Sequence, residues 1–174
     1  MVFAAAGMKK RVLVYWILPA SAEAEFFRST IGTLAEEHRA PVFPPHLTLC
    51  RPNDIKTAHK VLEKLEHDPI RLRILELTHS PKFTKTVFVR FAASKRLDKL
   101  VGKVGGLGAP PDPHLSLLYK NVPAAMREQL CRRIELPFRY VCFDAIALID
   151  CVSPTETARD VQSWREIART YSPA

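Results

Sequence analysis

No two of the four cysteines, Cys50, Cys131, Cys142 and Cys151, stand in a Cys-x-x-Cys pair. Without that spacing, zinc-ribbon and thioredoxin-like chemistry have no ligand set. Buried free thiols in a reducing compartment, the cytoplasm, are the expectation instead. No apolar run is long enough to span a bilayer, so no membrane partner is expected. Glycines cluster at Gly105-Gly106-Leu107-Gly108, but no Gly-Lys-Ser/Thr follows, which excludes a Walker phosphate loop. No dense run of Lys and Arg suggests a long nucleic-acid track.

The 174 residues are 47% hydrophobic and 25% charged, ordinary values for a soluble globular protein. That length supports one domain, 1–174, of one or two lobes, with a core that needs neither disulfide nor metal. The net charge of +8 favours anionic partners such as nucleotides or RNA ends. Lys9-Lys10-Arg11, the apolar stretch Val12–Leu18 and Ala20-Ser21-Ala22 together imitate a signal peptide. The stretch reads better as a first strand, with residues 1–8 as a disordered extension and Met8 as an alternative start.

Along the chain, Arg11–Leu18 predicts a buried strand ended by Pro19. Ser21 is a candidate N-cap for a helix with Ala24, Phe27, Ile31 and Leu34 inward, fading near His38. A strand is expected over His46–Arg51. A second helix, capped by Asn53 or Asp54, would carry Ile55, Ala58, Val61, Leu62 and Leu65 inward and end near His67. Ile70–Thr78 and Val87–Phe91 predict neighbouring strands. Ser94 would cap a third helix, and 105–111 would be a flexible loop leading to a strand over His114–Tyr119. Pro123–Ile134 predicts a fourth helix with Ala124, Leu130 and Ile134 inward. Phe138–Cys151 predicts one bent strand or two, Pro154–Arg159 a turn and Val161–Ala168 a closing strand with Trp164 buried; a loose tail would follow Tyr171. Strands and helices mix without strict alternation, which favours α+β.

One pentapeptide occurs twice. Pro45-His46-Leu47-Thr48-Leu49 returns as Pro113-His114-Leu115-Ser116-Leu117. On a strand, alternate side chains share a face. His46 and Thr48 therefore lie together over an apolar back of Leu47 and Leu49, and His114 and Ser116 likewise. Alternation also points Cys50 with His46 and Thr48. Two imidazoles and two hydroxyls facing one another would surround a small anion. The other histidines, His38, His59, His67 and His79, read as solvated surface.

His-x-(Thr/Ser)-x in two copies resembles the signature of the two-histidine (2H) phosphoesterases. Pro113–Tyr119, Trp16-Ile17-Leu18-Pro19, Val87-Phe88 and Trp164 are similar to the cyclic phosphodiesterase branch. The resemblance implies the 2′-5′ RNA ligase-like fold, with two pseudo-symmetric antiparallel-sheet lobes, flanking helices and a central cleft. It implies hydrolysis of nucleoside 2′,3′-cyclic phosphates or of ADP-ribose 1″,2″-cyclic phosphate, with no cofactor and no metal, by a monomer. It makes His114 the base and His46 the acid, although the residues themselves allow the exchange. It also suggests that Tyr119, Phe83 and Lys85 bind substrate beside Thr48 and Ser116. For Tyr119 this needs a bend, because strict alternation points it away from the site. The RNA-end branch of the family carries an Arg soon after its second motif. Here Leu118-Tyr119-Lys120 follows, which favours small substrates over RNA ends. A non-catalytic nucleotide-binding module would not need both histidines.

Overall fold

The first strand, β1 (Lys10–Pro19), buries both of its faces. Tyr15 and Ile17 enter the main core, whereas Val14, Trp16 and Leu18 join a smaller cluster on the opposite side. This two-sided burial marks it as a central strand. The computed structural model describes residues 8–106 and 110–173. Among them follow α1 (Ser21–His38), β2 (Leu47–Cys50), α2 (Ala58–Glu63), β3 (Ile70–His79), β4 (Val87–Phe91), α3 (Lys95–Lys103), β5 (His114–Leu118), α4 (Ala124–Arg133), β6 (Tyr140–Ser153), α5 (Ala158–Gln162) and β7 (Arg165–Tyr171). A single 3-10 turn, Phe83–Lys85, precedes β4. No helix among the described residues is long and apolar enough to cross a membrane.

The strands run in the order β1-β2-β5-β4-β3-β6-β7, every pairing antiparallel, and β1 also pairs with β6. Two halves are visible, β7-β6-β1-β2 and β5-β4-β3, as the α+β reading with two antiparallel lobes expected. They are not separate sheets. The long β6 pairs with β3 through Tyr140–Phe143 and with β1 through Phe143–Ser153. At the other junction a single pair, Leu47 with Leu115, joins β2 to β5. The two motif strands are thus neighbours, held by one apolar pair at the centre of the molecule.

Helices α1 to α4 cover one face of the sheet. Ala24, Phe27, Ile31, Leu34 and Ala35 of α1 form one stripe at helical spacing, and Leu97, Leu100 and Val101 of α3 another. They meet Leu47, Leu49, Leu115, Leu117, Val87 and Val89 from the sheet. The opposite face carries Trp16, His46, Thr48, His114 and Ser116, together with the small residues Ala145 and Ala147 of β6.

Several local expectations differ. Ala20, not Ser21, occupies the N-cap of α1, and Glu23 instead accepts a hydrogen bond from the Cys142 amide at 3.2 Å. The second helix is shorter than the pattern suggested. Asp54 ties the preceding turn by accepting from Lys56 N and Thr57 Oγ1, and Ile55 is left 65% exposed. In α4 only Leu130 is buried; Ala124 faces solvent. Val161 belongs to α5, capped reciprocally by Thr157 and Asp160, so the closing strand starts at Arg165. Trp164, just before it, is half-buried. The tail stays bound just beyond Tyr171, where Ser172 N donates to the Asp144 carbonyl at 2.7 Å. Of the loop at 105–111, residues 107–109 lie outside the described residues, as does the expected N-terminal extension apart from Met8.

Candidate active site

Each imidazole is fixed by the same main-chain device. His46 Nδ1 lies 2.7 Å from the carbonyl of Pro44, and His114 Nδ1 lies 2.8 Å from the carbonyl of Asp112. A carbonyl only accepts, so each Nδ1 carries the proton and donates it. In both rings Nε2 is left to take or give a proton. Both partners stand two residues before the histidine, so the repeated pentapeptide has a repeated geometry.

Leu47 opposite Leu115 sets the register. It places His46 across from Ser116 and Thr48 across from His114. The two histidines then occupy one diagonal, and such diagonal neighbours have backbones about 7–8 Å apart. That is a fit spacing for two groups that act on one phosphate from opposite sides.

The register also slips by one residue after each motif. Trp16 faces Thr48 while Tyr15 faces Cys50, which leaves Leu49 as the extra residue. Phe88 faces Ser116 while Val87 faces Leu118, which leaves Leu117 extra. The second slip supplies the bend that Tyr119 needed. Its ring stacks on Phe43 at 3.8 Å and its hydroxyl stands 3.5 Å from His46 Nε2. The first slip turns Cys50 towards the main core beside Gly106, while the residue still borders the space next to Thr48 and His114. Its thiol is pushed up to about 11 by burial, so it is a poor nucleophile.

His46 sits in an aromatic enclosure. Trp16 stacks on it at 3.6 Å with the planes 11° apart, and Trp164 meets it edge-on at 5.8 Å. Burial, helped by the charge on nearby His114, lowers its pKa to about 4 against the opposing Pro44 carbonyl. His114 is less buried. Its pKa is also lowered, by burial first; the carbonyl of Asp112 opposes this, Lys85 adds to it, and the Asp112 carboxylate pulls the other way.

His46 therefore makes acid stability measurable. In the unfolded chain the ring takes its proton near 6.5, in the folded chain only near 4. Between those values the unfolded state binds the extra proton, so stability is full above pH 6.5 and declines as pH falls towards 4. The loss expected is on the order of 3 kcal/mol. Denaturant midpoints at pH 7 and pH 4 should differ less in His46→Gln than in wild type. An equal difference in both proteins would place the acid sensitivity elsewhere.

The remaining expected site residues are placed as follows. Thr48 is exposed on the cleft face. Ser116 is buried, and its hydroxyl donates to the Thr84 carbonyl at 2.8 Å, which ties the 3-10 turn to β5. Phe83 is half-buried with its ring tilted towards Tyr119 at 6.0 Å. Lys85 pairs with the Asp112 carboxylate and stands 4.5 Å over the Phe88 ring. Asp112 also accepts from Arg90 Nε at 2.9 Å, and Arg90 in turn pairs with Glu76. Asp112, Arg90, Phe43 and the stacking of Trp16 went unread in the sequence. Only an acidic residue two before His114 could have hinted at the first of them.

Two hollows flank the pair. One of about 630 Å³ is lined by Thr48, His114, Asp112, Arg51 and Asn53. The other, about 250 Å³, lies against Trp16, Phe43, Trp164, Arg165 and Arg169. Among the described residues no group of three or more His, Cys, Asp or Glu side chains could hold a metal ion.

Solved structures share this architecture over nearly the whole chain. E. coli LigT complexed with 3′-AMP aligns with a TM-score of 0.55 at 16% identity, covering 94% of this chain and 99% of that one. A phosphoesterase aligns with a TM-score of 0.54 at 15% identity, covering 95% and 100%. E. coli LigT complexed with phosphate gives 0.52 at 13% identity, covering 96% and 100%. The chain has the fold of the two-histidine phosphoesterases. No protein-family model and no curated protein matches its sequence.

Proposed function

We propose that this chain, acting as one bilobal unit over 1–174, hydrolyses cyclic phosphodiesters by metal-independent acid–base catalysis. The substrates are nucleoside 2′,3′-cyclic phosphates, opened to the 2′-phosphate, and ADP-ribose 1″,2″-cyclic phosphate, opened to the 1″-phosphate. One observation carries the reading: two imidazoles with identically oriented Nδ1–H groups present Nε2 from adjacent antiparallel strands. The LigT complexes with 3′-AMP and with phosphate support it, since they put a nucleotide and an anion on the same fold. Four free cysteines suit the cytoplasm.

The chemistry needs one neutral and one protonated histidine. Burial lowers both imidazoles but His46 further, and that difference favours the reverse of the roles that the family resemblance suggests. His46, held near 4, is neutral at working pH and suits the base. Its Nε2 takes a proton from water as the water oxygen bonds to phosphorus. The phosphorus–O3′ bond breaks, and His114 Nε2–H protonates the departing oxygen. Proton exchange with solvent resets both rings. The Thr48 hydroxyl can donate to a nonbridging oxygen. Ser116 does the same once it leaves the Thr84 carbonyl. Phe83 offers an apolar surface to the base or sugar. Lys85, paired with Asp112, acts on His114 through its charge.

Asp112 tunes the acid. Its carboxylate raises the pKa of His114 and holds Lys85, which lowers it. Asp112→Asn should therefore lower the His114 pKa and move the basic limb of the rate profile to lower pH. The ring-proton titration of His114 by NMR should move with it. A change in melting temperature without either shift would leave Asp112 a purely structural residue.

The hollow beside Thr48 and His114 exceeds what one phosphate fills, which leaves room for the nucleoside of a small substrate or for the last nucleotide of an RNA bearing a 2′,3′-cyclic end. Turnover of 2′,3′-cyclic AMP in EDTA, with the product isomer read by phosphorus NMR, tests the reading. Release of 2′-AMP is expected. Turnover of cyclic-ended RNA alone would replace the small-substrate reading with the RNA-end one. No turnover of either substrate or of ADP-ribose 1″,2″-cyclic phosphate would overturn catalysis altogether.

A further inference from the structure

On the helical side of the sheet, α3 carries Arg96, Lys99 and Lys103 along one stripe, at spacings of three and four residues. None of the three forms an ion pair among the described residues, though α3 also contains Asp98. Like charges at this spacing repel and lower helix stability, so the stripe is not a device for holding the helix. It borders a hollow of about 270 Å³ whose lining is mainly polar and also includes His67, Asp68 and the start of β3. Lys103 Nζ reaches across to the carbonyl of Glu66 at 2.9 Å, tying the helix to the segment that bears His67.

His67 supplies an independent observation. The sequence suggested a solvated histidine, but the residue is only 6% exposed. Ser172, just beyond β7, closes over it with its Oγ 3.0 Å from Nδ1. The other ring nitrogen, Nε2, is buried and has no hydrogen-bond partner. A buried polar atom left in this state is costly and calls for a partner. Here an unpartnered imidazole forms part of the wall of a hollow rimmed by three cations and one carboxylate, Asp68.

We propose that this hollow is a second anion site, built for a phosphoryl group and separate from the paired-histidine cleft. The cations supply charge, and in the tautomer whose Nδ1 accepts from Ser172 Oγ a rotation of His67 offers Nε2–H as a directional donor. The phosphoryl group can belong to a free phosphate or to the backbone of a single-stranded RNA. The loop after the first motif strand also rests on the end of α3. Asn53 N donates to the Gly105 carbonyl at 3.1 Å, and Pro52 bridges to Gly106. An anion seated on α3 thus lies on the helix that supports the exit of the His46–Thr48 strand.

The test is an NMR titration of the full chain with inorganic phosphate, chloride and oligouridylate ending in a 3′-hydroxyl, followed at the α3 amides and the His67 ring protons. Phosphate should shift both at concentrations where chloride does not. The exposed-site variant R96A/K99A/K103A should weaken this response by about tenfold or more. H46A/H114A, which disables the cleft, should leave it unchanged, so the outcome is independent of the catalytic reading. If the physiological source is RNA, oligouridylate binds more tightly than phosphate, and the triple variant lowers its salt slope by about 2, at about 0.7 per lost contact. If the source is a small phosphate, oligouridylate adds no affinity. Equal responses to chloride and phosphate, or no response at His67, would overturn the site.

Discussion

Replacing His46 or His114 by alanine is expected to lower kcat on 2′,3′-cyclic AMP by about 10²–10⁴-fold, the usual worth of a positioned acid or base. KM should change much less, because Thr48 and the walls of the cleft remain. The two variants should separate on a substrate with an aryloxide leaving group, which departs without a proton. Loss of the acid is then forgiven and loss of the base is not. If burial sets the roles, His114→Ala recovers on the aryl ester and His46→Ala stays slow. The opposite pattern would restore the order that the family resemblance suggests. Turnover close to wild type in both variants would remove the histidines from the mechanism.

Leu115→Ala is expected to cost about 3 kcal/mol, within the range of about 2–5 kcal/mol seen for buried leucine truncations. For a chain of this length that is a fall of about 6–12 °C in Tm. Leu115 is fully buried, and with Leu47 it forms the one register pair between β2 and β5. Leu49→Ala makes the comparison informative. Leu49 is equally buried but faces no partner across that junction. Both substitutions should lower Tm similarly, while only Leu115→Ala should also reduce kcat at a temperature where the protein is folded. Equal kcat values in the two variants would mean that the junction does not set the distance between the imidazoles.

Much of this arrangement was legible because it repeats. The pentapeptide announced two strands with a shared polar face, and the alternation of apolar residues set which face was buried. What stayed hidden depended on contacts distant in sequence or on main-chain detail. Strand parity pointed Tyr119 away from His46 and Cys50 towards it; one slipped residue after each motif brought Tyr119 to His46 and turned Cys50 towards the main core. The pairing of Lys85 with Asp112 stayed hidden because the carboxylate meets it only through the β4–β5 pairing. His67 read as solvated because the residue that covers it, Ser172, lies at the far end of the chain. The second helix was overdrawn at Ile55, since apolar spacing cannot register that Asp54 has already spent its side chain on a turn.

The way the two imidazoles are held bears on how the protein can change. Many enzymes orient a histidine with a carboxylate, which a single base change can remove. Here the acceptors are the peptide carbonyls of residues 44 and 112. Any amino acid at those positions carries the same oxygen. The tautomer is therefore inherited through the path of the backbone and not through the identity of a neighbour, so the sequence around each histidine can drift widely without altering which nitrogen faces the substrate.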